Sequence, residues 1–112
     1  MEDIFESTVR TAGDLAGVFE FEGEASYFYL MQTGNADGQK IVGAIRVCTG
    51  RPDFLGSDIL IKWDEDENKV GLMIRGELWA AFDCHGAKFG GDYHPDGTAK
   101  ISSDIADYFQ NS

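Results

Sequence analysis

The chain has 112 residues, 43% of them hydrophobic and 12% aromatic; that is one domain's length (1–112) with enough apolar mass for a core, and it excludes a disordered chain. Twenty acidic residues against nine basic ones leave a formal charge of −11, so phosphates meet a repulsive field and nucleic acid is excluded as a direct ligand. The opening MEDIFESTVRTAG carries carboxylates where a secretion signal needs cations, and no apolar run reaches the ~18 residues of a membrane span, so a cytoplasmic protein with no membrane association is expected.

Residues 3 to 12 read two ways: TVRT suits a strand, and Ile4 with Phe5 suits a short helix equally well. GVFEFE (17–22) then turns at Gly23-Glu24 into SYFYLMQT (26–33), and Asn35-Ala-Asp-Gly38 leads into KIVGAIRVC (40–48). Proline lacks an amide proton, so Arg51-Pro-Asp-Phe-Leu-Gly56 is a loop. DILIKW (58–63), KVGLMIR (69–75) and ELWAAFD (77–83) follow, joined by the acidic loop DEDEN and a short turn at Gly76. Only the tail has helical spacing, with Ile101, Ile105, Tyr108 and Phe109 on one side of SSDIADYFQ and Ser102 or Ser103 as N-cap.

Side chains two apart share a face of a strand, which places Phe19, Phe21, Ile59, Ile61, Trp63, Val70, Leu72, Ile74, Leu78, Ala80 and Phe82 in the core. The opposite positions are also apolar: Leu60, Met73, Trp79 and Ala81, with a Tyr27/Tyr29/Met31 stripe. Either the sheet curls so that its second side is interior, or an aromatic patch faces a partner or a second copy of the chain. The fold class is α+β: a mostly antiparallel meander of six or seven strands with a C-terminal helix, the alternative being a β-sandwich or open barrel.

The stretch DCHGAKFGGDYHPDG holds both histidines, and Asp83 with His85 and Asp92 with His94 form a candidate four-ligand set for a divalent transition metal. Its spacing matches neither a thiol-rich zinc site nor an HExxH helix, and turn chemistry at Pro95-Asp-Gly97 with a bend at Gly90-Gly91 accounts for most of it. The DEDEN loop fails as a calcium loop, because Lys69 stands where glycine is needed and Arg75 where the bidentate glutamate belongs. It is read instead as a negative knob of Asp64, Glu65, Asp66 and Glu67. Cys48 and Cys84 are expected to be free, mostly buried thiols, since a reducing compartment and an adequate core leave no need for a disulfide, and neither has an evident cationic neighbour in sequence that would activate it.

The segment VFEFEGEASYFYLM resembles a family of small bacterial proteins known only as a domain of unknown function, with a Val-Phe-Glu, acidic-Gly-Glu, Tyr-Phe-Tyr hairpin. The corresponding residues are Val18-Phe19-Glu20, Glu22-Gly23-Glu24 and Tyr27-Phe28-Tyr29, followed by Ile61-Lys62-Trp63 and Ala81-Phe82-Asp83, over about residues 18 to 90. The resemblance implies a single-domain bacterial cytosolic protein with no assigned activity and no catalytic residues to carry over.

The expected function is a non-enzymatic, acidic protein-binding module without a cofactor, an inhibitor or immunity-type partner of a basic protein. Asp64, Glu65, Asp66 and Glu67, helped by Glu20, Glu22 and Glu24, steer the encounter, and Tyr27, Tyr29 and Trp79 supply contact area. The alternatives are a metal-binding protein or metal-dependent hydrolase using Asp83, His85, Asp92 and His94, and a small-molecule binder with a pocket inside a curled sheet.

Overall fold

Short apolar runs punctuated by glycine and aspartate become eight strands in the computed structural model, which describes residues 4–33, 40–50, 53–93, 99 and 101–110. Strands β1 (Ile4–Val9), β2 (Leu15–Glu22), β3 (Ala25–Gln32) and β4 (Lys40–Thr49) form one antiparallel sheet, sheet A, in that order. Strands β5 (Ile59–Trp63), β6 (Lys69–Ile74), β7 (Glu77–Asp83) and β8 (Lys88–Gly90) form sheet B, also in chain order, after a 3-10 turn at Gly56–Asp58. A single helix, α1 (Ser103–Gln110), ends the described chain.

The chain is thus mostly antiparallel with one C-terminal helix, as expected, but it makes two four-stranded sheets rather than one meander of six or seven strands. Of the loop expected over residues 51–56, Asp53 to Leu55 lie outside any strand, and Arg51 and Pro52 fall outside the described residues. The added strands are β1, which resolves the ambiguity at residues 3 to 12, and the three-residue β8.

The turns obey local chemistry. Gly23 takes a positive φ between β2 and β3, and Arg75 and Gly76 both do so between β6 and β7, the requirement of a tight hairpin turn that matches strand twist. Arg75 lacks glycine's freedom, and its guanidinium is held by the Asp53 carboxylate at 3.2 Å and the Asp53 carbonyl at 2.7 Å.

The two sheets bury their facing sides against each other. Phe19, Phe28 and Leu30 of sheet A meet Ile61, Val70, Leu72 and Phe82 of sheet B, with the Phe28 and Phe82 rings 5.4 Å apart. Gly17 makes close approach possible, since a Cβ there would lie 2.6 Å from a Val70 methyl and 2.9 Å from one of Ile61. Two seams tie the margins. Asp92 and Tyr93 donate their amides to the carbonyls of Arg46 and Val47 at 3.3 and 2.7 Å, closing the β4 side. On the β1 side the bonds involve side chains: Thr8 Oγ1 donates to the Ile61 carbonyl (2.8 Å), and Trp63 Nε1 to the Thr8 carbonyl (3.1 Å).

Simple alternation is interrupted twice in the β3–β4 ladder, at Ser26/Tyr27 and Leu30/Met31, and once in sheet B, where it moves a predicted core position. The β6–β7 ladder shifts register between Leu72 and Met73, a bulge that turns Trp79 inward and Leu78 outward. Trp79 is therefore 3% exposed and packs on Tyr93 at 4.7 Å, while Leu78 joins Ala81 and Phe109 on the outer side of sheet B. Helix α1 covers that outer side. Eight residues are too few to be helical alone, so packing holds it: Phe109 sits over Gly71, and the Lys69 ammonium lies 3.8 Å from the Tyr108 ring centre. Ser102 accepts the first amides, those of Ile105 and Ala106, as the expected N-cap.

Because a methyl at Gly17 has no room between the sheets, Gly17→Ala is expected to cost about 1–3 kcal/mol, seen as a lower urea midpoint at unchanged slope. An unaltered midpoint would show that the sheets are not held at this separation.

Candidate functional site

The face of sheet A turned away from sheet B has no cover among the described residues. It is built from alternate positions of four strands, so the apolar residues there are those the core leaves out. Ala16 and Val18 form the floor of a groove of about 240 Å³, with Phe5, Val9, Met31 and Ile41 as its walls. Phe5 is 61% exposed, and Val9 and Ile41 are each 52% exposed, far beyond what a packed side chain shows. Tyr29 lines the same groove, and its ring stacks on that of Tyr27 at 5.9 Å. Burial pushes the Tyr29 phenol up, with Glu20 adding to the shift, so it stays a neutral hydrogen-bonding group. Of the three aromatics expected at a partner surface, Tyr27 and Tyr29 are on this outer face; Trp79 is corrected to a core residue by the bulge.

The acidic loop is less of a free knob than its sequence implies. Asp64 is 4% exposed, and its carboxylate accepts the amides of Asn68 (2.8 Å) and Lys69 (3.1 Å), which closes the turn. Glu67, at φ 56°, reaches the Thr11 amide (3.1 Å) and hydroxyl (3.0 Å). Arg10 donates to the Glu67 carbonyl at 2.9 Å, lies 5.6 Å from the Trp63 ring centre and forks onto Asp14 at 2.6 and 2.7 Å. That fork pulls the Asp14 carboxyl below its usual range and raises Arg10. Within the loop, Glu65 and Asp66 remain exposed, while Asp64 closes the loop on itself and Glu67 fastens it to the β1–β2 turn.

The histidine-carboxylate stretch comes apart along β7. Asp83 Oδ1 accepts the amides of His85 and Ala87, each at 2.9 Å, making a turn at one end of the strand. Gly91 bonds to the carbonyl of Trp79, four residues back along β7, so Asp92 leaves the strand roughly 13 Å away at ~3.3 Å per residue. Asp83 and Asp92 thus cannot share one ion, and His94 lies outside the described residues. No group of three or more His, Cys, Asp or Glu among the described residues is placed to hold a metal. A Cβ at Gly90 would run into the Trp79 carbonyl, so this bend does let the backbone pass close to a neighbour.

His85 and Cys84 border a polar hollow with Arg10 and Asp14, but Arg10 is already taken by Asp14 and Glu67. Both cysteines are free and half-buried. Burial pushes the Cys48 thiol up, opposite to an activated nucleophile, although its Sγ lies 3.2 Å from Ser26 Oγ.

A polar cluster that local sequence did not reveal joins three distant segments. The Tyr93 hydroxyl donates to Asp53 Oδ1 at 2.8 Å, and Arg75 holds the other oxygen. The Tyr93 bond and Arg75 draw the Asp53 carboxyl below its ordinary range, whereas burial and the same bond push Tyr93 up to about 12. A raised phenol favours the folded state while it is protonated, so Tyr93 contributes fully below pH ~10 and that contribution is lost between ~10 and 12. Asp53 works in the other direction, contributing in the neutral range and losing that contribution as acid protonates it.

Two measurements check these assignments. Alkaline absorbance titration is expected to show one of the four tyrosines ionising near 12, and Asp53→Asn to move it back toward ~10. Asp64→Ala is expected to cost about 1–3 kcal/mol by urea unfolding, against about 0.5 or less for Glu65→Ala. Equal effects would mean that both carboxylates are surface charges.

No helix among the described residues is long and apolar enough to cross a membrane. Among curated proteins and among solved structures, nothing matches the chain. A family model does match, over residues 2–90, which takes in both sheets through the end of β8. The chain, whose hairpin carries the Val-Phe-Glu and Tyr-Phe-Tyr elements, belongs to the family described as uncharacterized protein conserved in bacteria (DUF2251).

Proposed function

We propose that this chain is a non-enzymatic, cytoplasmic protein-binding module, an α+β sandwich that acts as an inhibitor or immunity-type partner of a basic protein. The observation that carries this reading is the uncovered groove on sheet A, whose most exposed walls are Phe5, Val9 and Ile41. Apolar side chains left in water at this density are a cost unless a partner covers them.

Charge sets the partner's sign. At −11 the chain repels acidic surfaces and draws in basic ones, and Glu65 and Asp66 stand clear to take part in that attraction. The groove's volume selects the partner's size: about 240 Å³ is below the ~300–1,000 Å³ of a typical small-molecule pocket, so an extended protein surface fits it better.

Affinity capture from the encoding bacterium, using the full chain and a Phe5→Ser/Ile41→Ser variant, tests the reading. A basic protein is expected to be retained by the natural chain, lost by the variant, and to associate at least about tenfold more slowly at 500 mM than at 50 mM salt. A partner that is acidic, or that the variant holds equally well, would sink the reading. Both replaced residues are exposed, so the variant should fold normally.

A further inference from the structure

The two edges of sheet A differ. The β4 edge is occupied, because Asp92 and Tyr93 bond to the carbonyls of Arg46 and Val47. The state of the β1 edge follows from hydrogen-bond parity. Arg10 donates its amide to the Leu15 carbonyl at 3.0 Å, and β1 pairs with β2 from Ile4↔Phe21 to Val9↔Ala16. In an antiparallel strand the N–H and C=O of one residue point the same way, and the direction alternates. Ile4, Glu6 and Thr8 therefore bond to β2, while the backbone groups of Phe5, Ser7 and Val9 point to the open side. Among the described residues none of these groups has a partner.

The same three residues send their side chains to the outer face, where they border the groove. Unpaired backbone and exposed apolar surface thus lie side by side. A strand laid along β1 would satisfy the first and extend the second.

Charge decides what that strand is. Residues of the added strand opposite Phe5, Ser7 and Val9 would share their outer face, and the residues between would fall on the other side, beside Glu6. The groove itself contains Glu20. A second copy is a poor occupant: Ile4–Val9 has no basic residue to offer Glu6 in any register, and −11 would meet −11.

We propose that the open edge of β1 takes an extended segment of the partner as a fifth strand of sheet A, antiparallel to β1, in which apolar residues alternate with lysine or arginine. The apolar residues continue the groove beyond Phe5 and Val9, and the cations face Glu6. The proposal rests on the protein-binding reading above and adds to it the mode of docking and the pattern that is recognised.

The test uses the isotope-labelled full chain and the synthetic peptide acetyl-KVKVKVK-amide. At saturation the amides of Phe5, Ser7 and Val9 are expected to exchange at least about tenfold more slowly, while side-chain resonances of Phe5 and Val9, the groove walls next to the added strand, shift. In the antiparallel arrangement the valines bond to β1, so N-methylating them should weaken binding at least about tenfold, whereas N-methylating the lysines should change it by less than about twofold. Loss that follows the lysines, or ignores which amides are methylated, overturns the proposal. So does a peptide that shifts Tyr29 and Ile41 without protecting the edge amides, although that result leaves the basic-partner reading standing. A peptide that does not bind at all overturns strand addition, and the capture experiment then decides the wider reading independently.

Discussion

Contact between two inner faces governs this structure. A four-stranded sheet with one apolar side in water is at best marginal, and here each sheet supplies the other's cover. Phe19 and Phe28 against Ile61, Val70 and Phe82 represent about 1.5–3 kcal/mol of burial per side chain before chain entropy is set against it. The small residue at Gly17 lets the sheets come close enough for these rings to interlock. Once the inner faces are committed, every remaining apolar residue of a strand belongs to an outer face by alternation, and the functional question reduces to what covers those.

Polar groups hold the margins of this sandwich. Arg10, Asp14 and Glu67 lock the β1–β2 turn to the acidic loop, while Asp53, Arg75 and Tyr93 lock the chain after β4 to the β6–β7 turn and to the segment after β8. The latter segments are far apart in sequence, so each bond closes a long loop and restrains how the sheets can slide. Several acidic residues consequently serve the fold, and the net charge overstates how much carboxylate is free to meet a partner. The long-range field survives, because a carboxylate that accepts backbone amides is still charged.

Strands and turns were legible because alternation and glycine-aspartate punctuation are local signals. Gly23-Glu24 and Gly76 fall where turns are found, and the tail's Ile105 and Phe109 do face the sheet. Trp79 and Leu78 were assigned to the wrong faces because a bulge adds one residue to the period, and no single side chain announces it. The role of Asp64 was hidden by its neighbours: four carboxylates in a row look like a solvated run, and only the backbone of Asn68 and Lys69 distinguishes the first from the rest. Tyr27 and Tyr29 were recognised at the candidate surface, but Phe5, Val9 and Ile41 were not, since they come from strands whose pattern is weak and meet only when β1 and β4 flank the central pair. The pairing of sheets is non-local information, so the groove could not be read from any one segment.

The outer faces of the two sheets are treated differently by the same chain. Sheet B receives α1, which seats Phe109 against Gly71 and Leu78 and leaves that side covered in cis. Sheet A receives nothing from the described residues, although its outer face is comparably apolar and its β1 edge is unpaired. The family-matched span, residues 2–90, contains all of sheet A and all of sheet B but stops before α1. The cover over sheet B therefore lies outside the segment that defines the family, whereas the groove and the open edge of β1 lie wholly within it. If apolar outer faces were simply tolerated by this fold, α1 would have no reason to pack as closely as it does. Its packing covers the outer face of sheet B in cis, whereas among the described residues the outer face of sheet A stays open to whatever the chain meets.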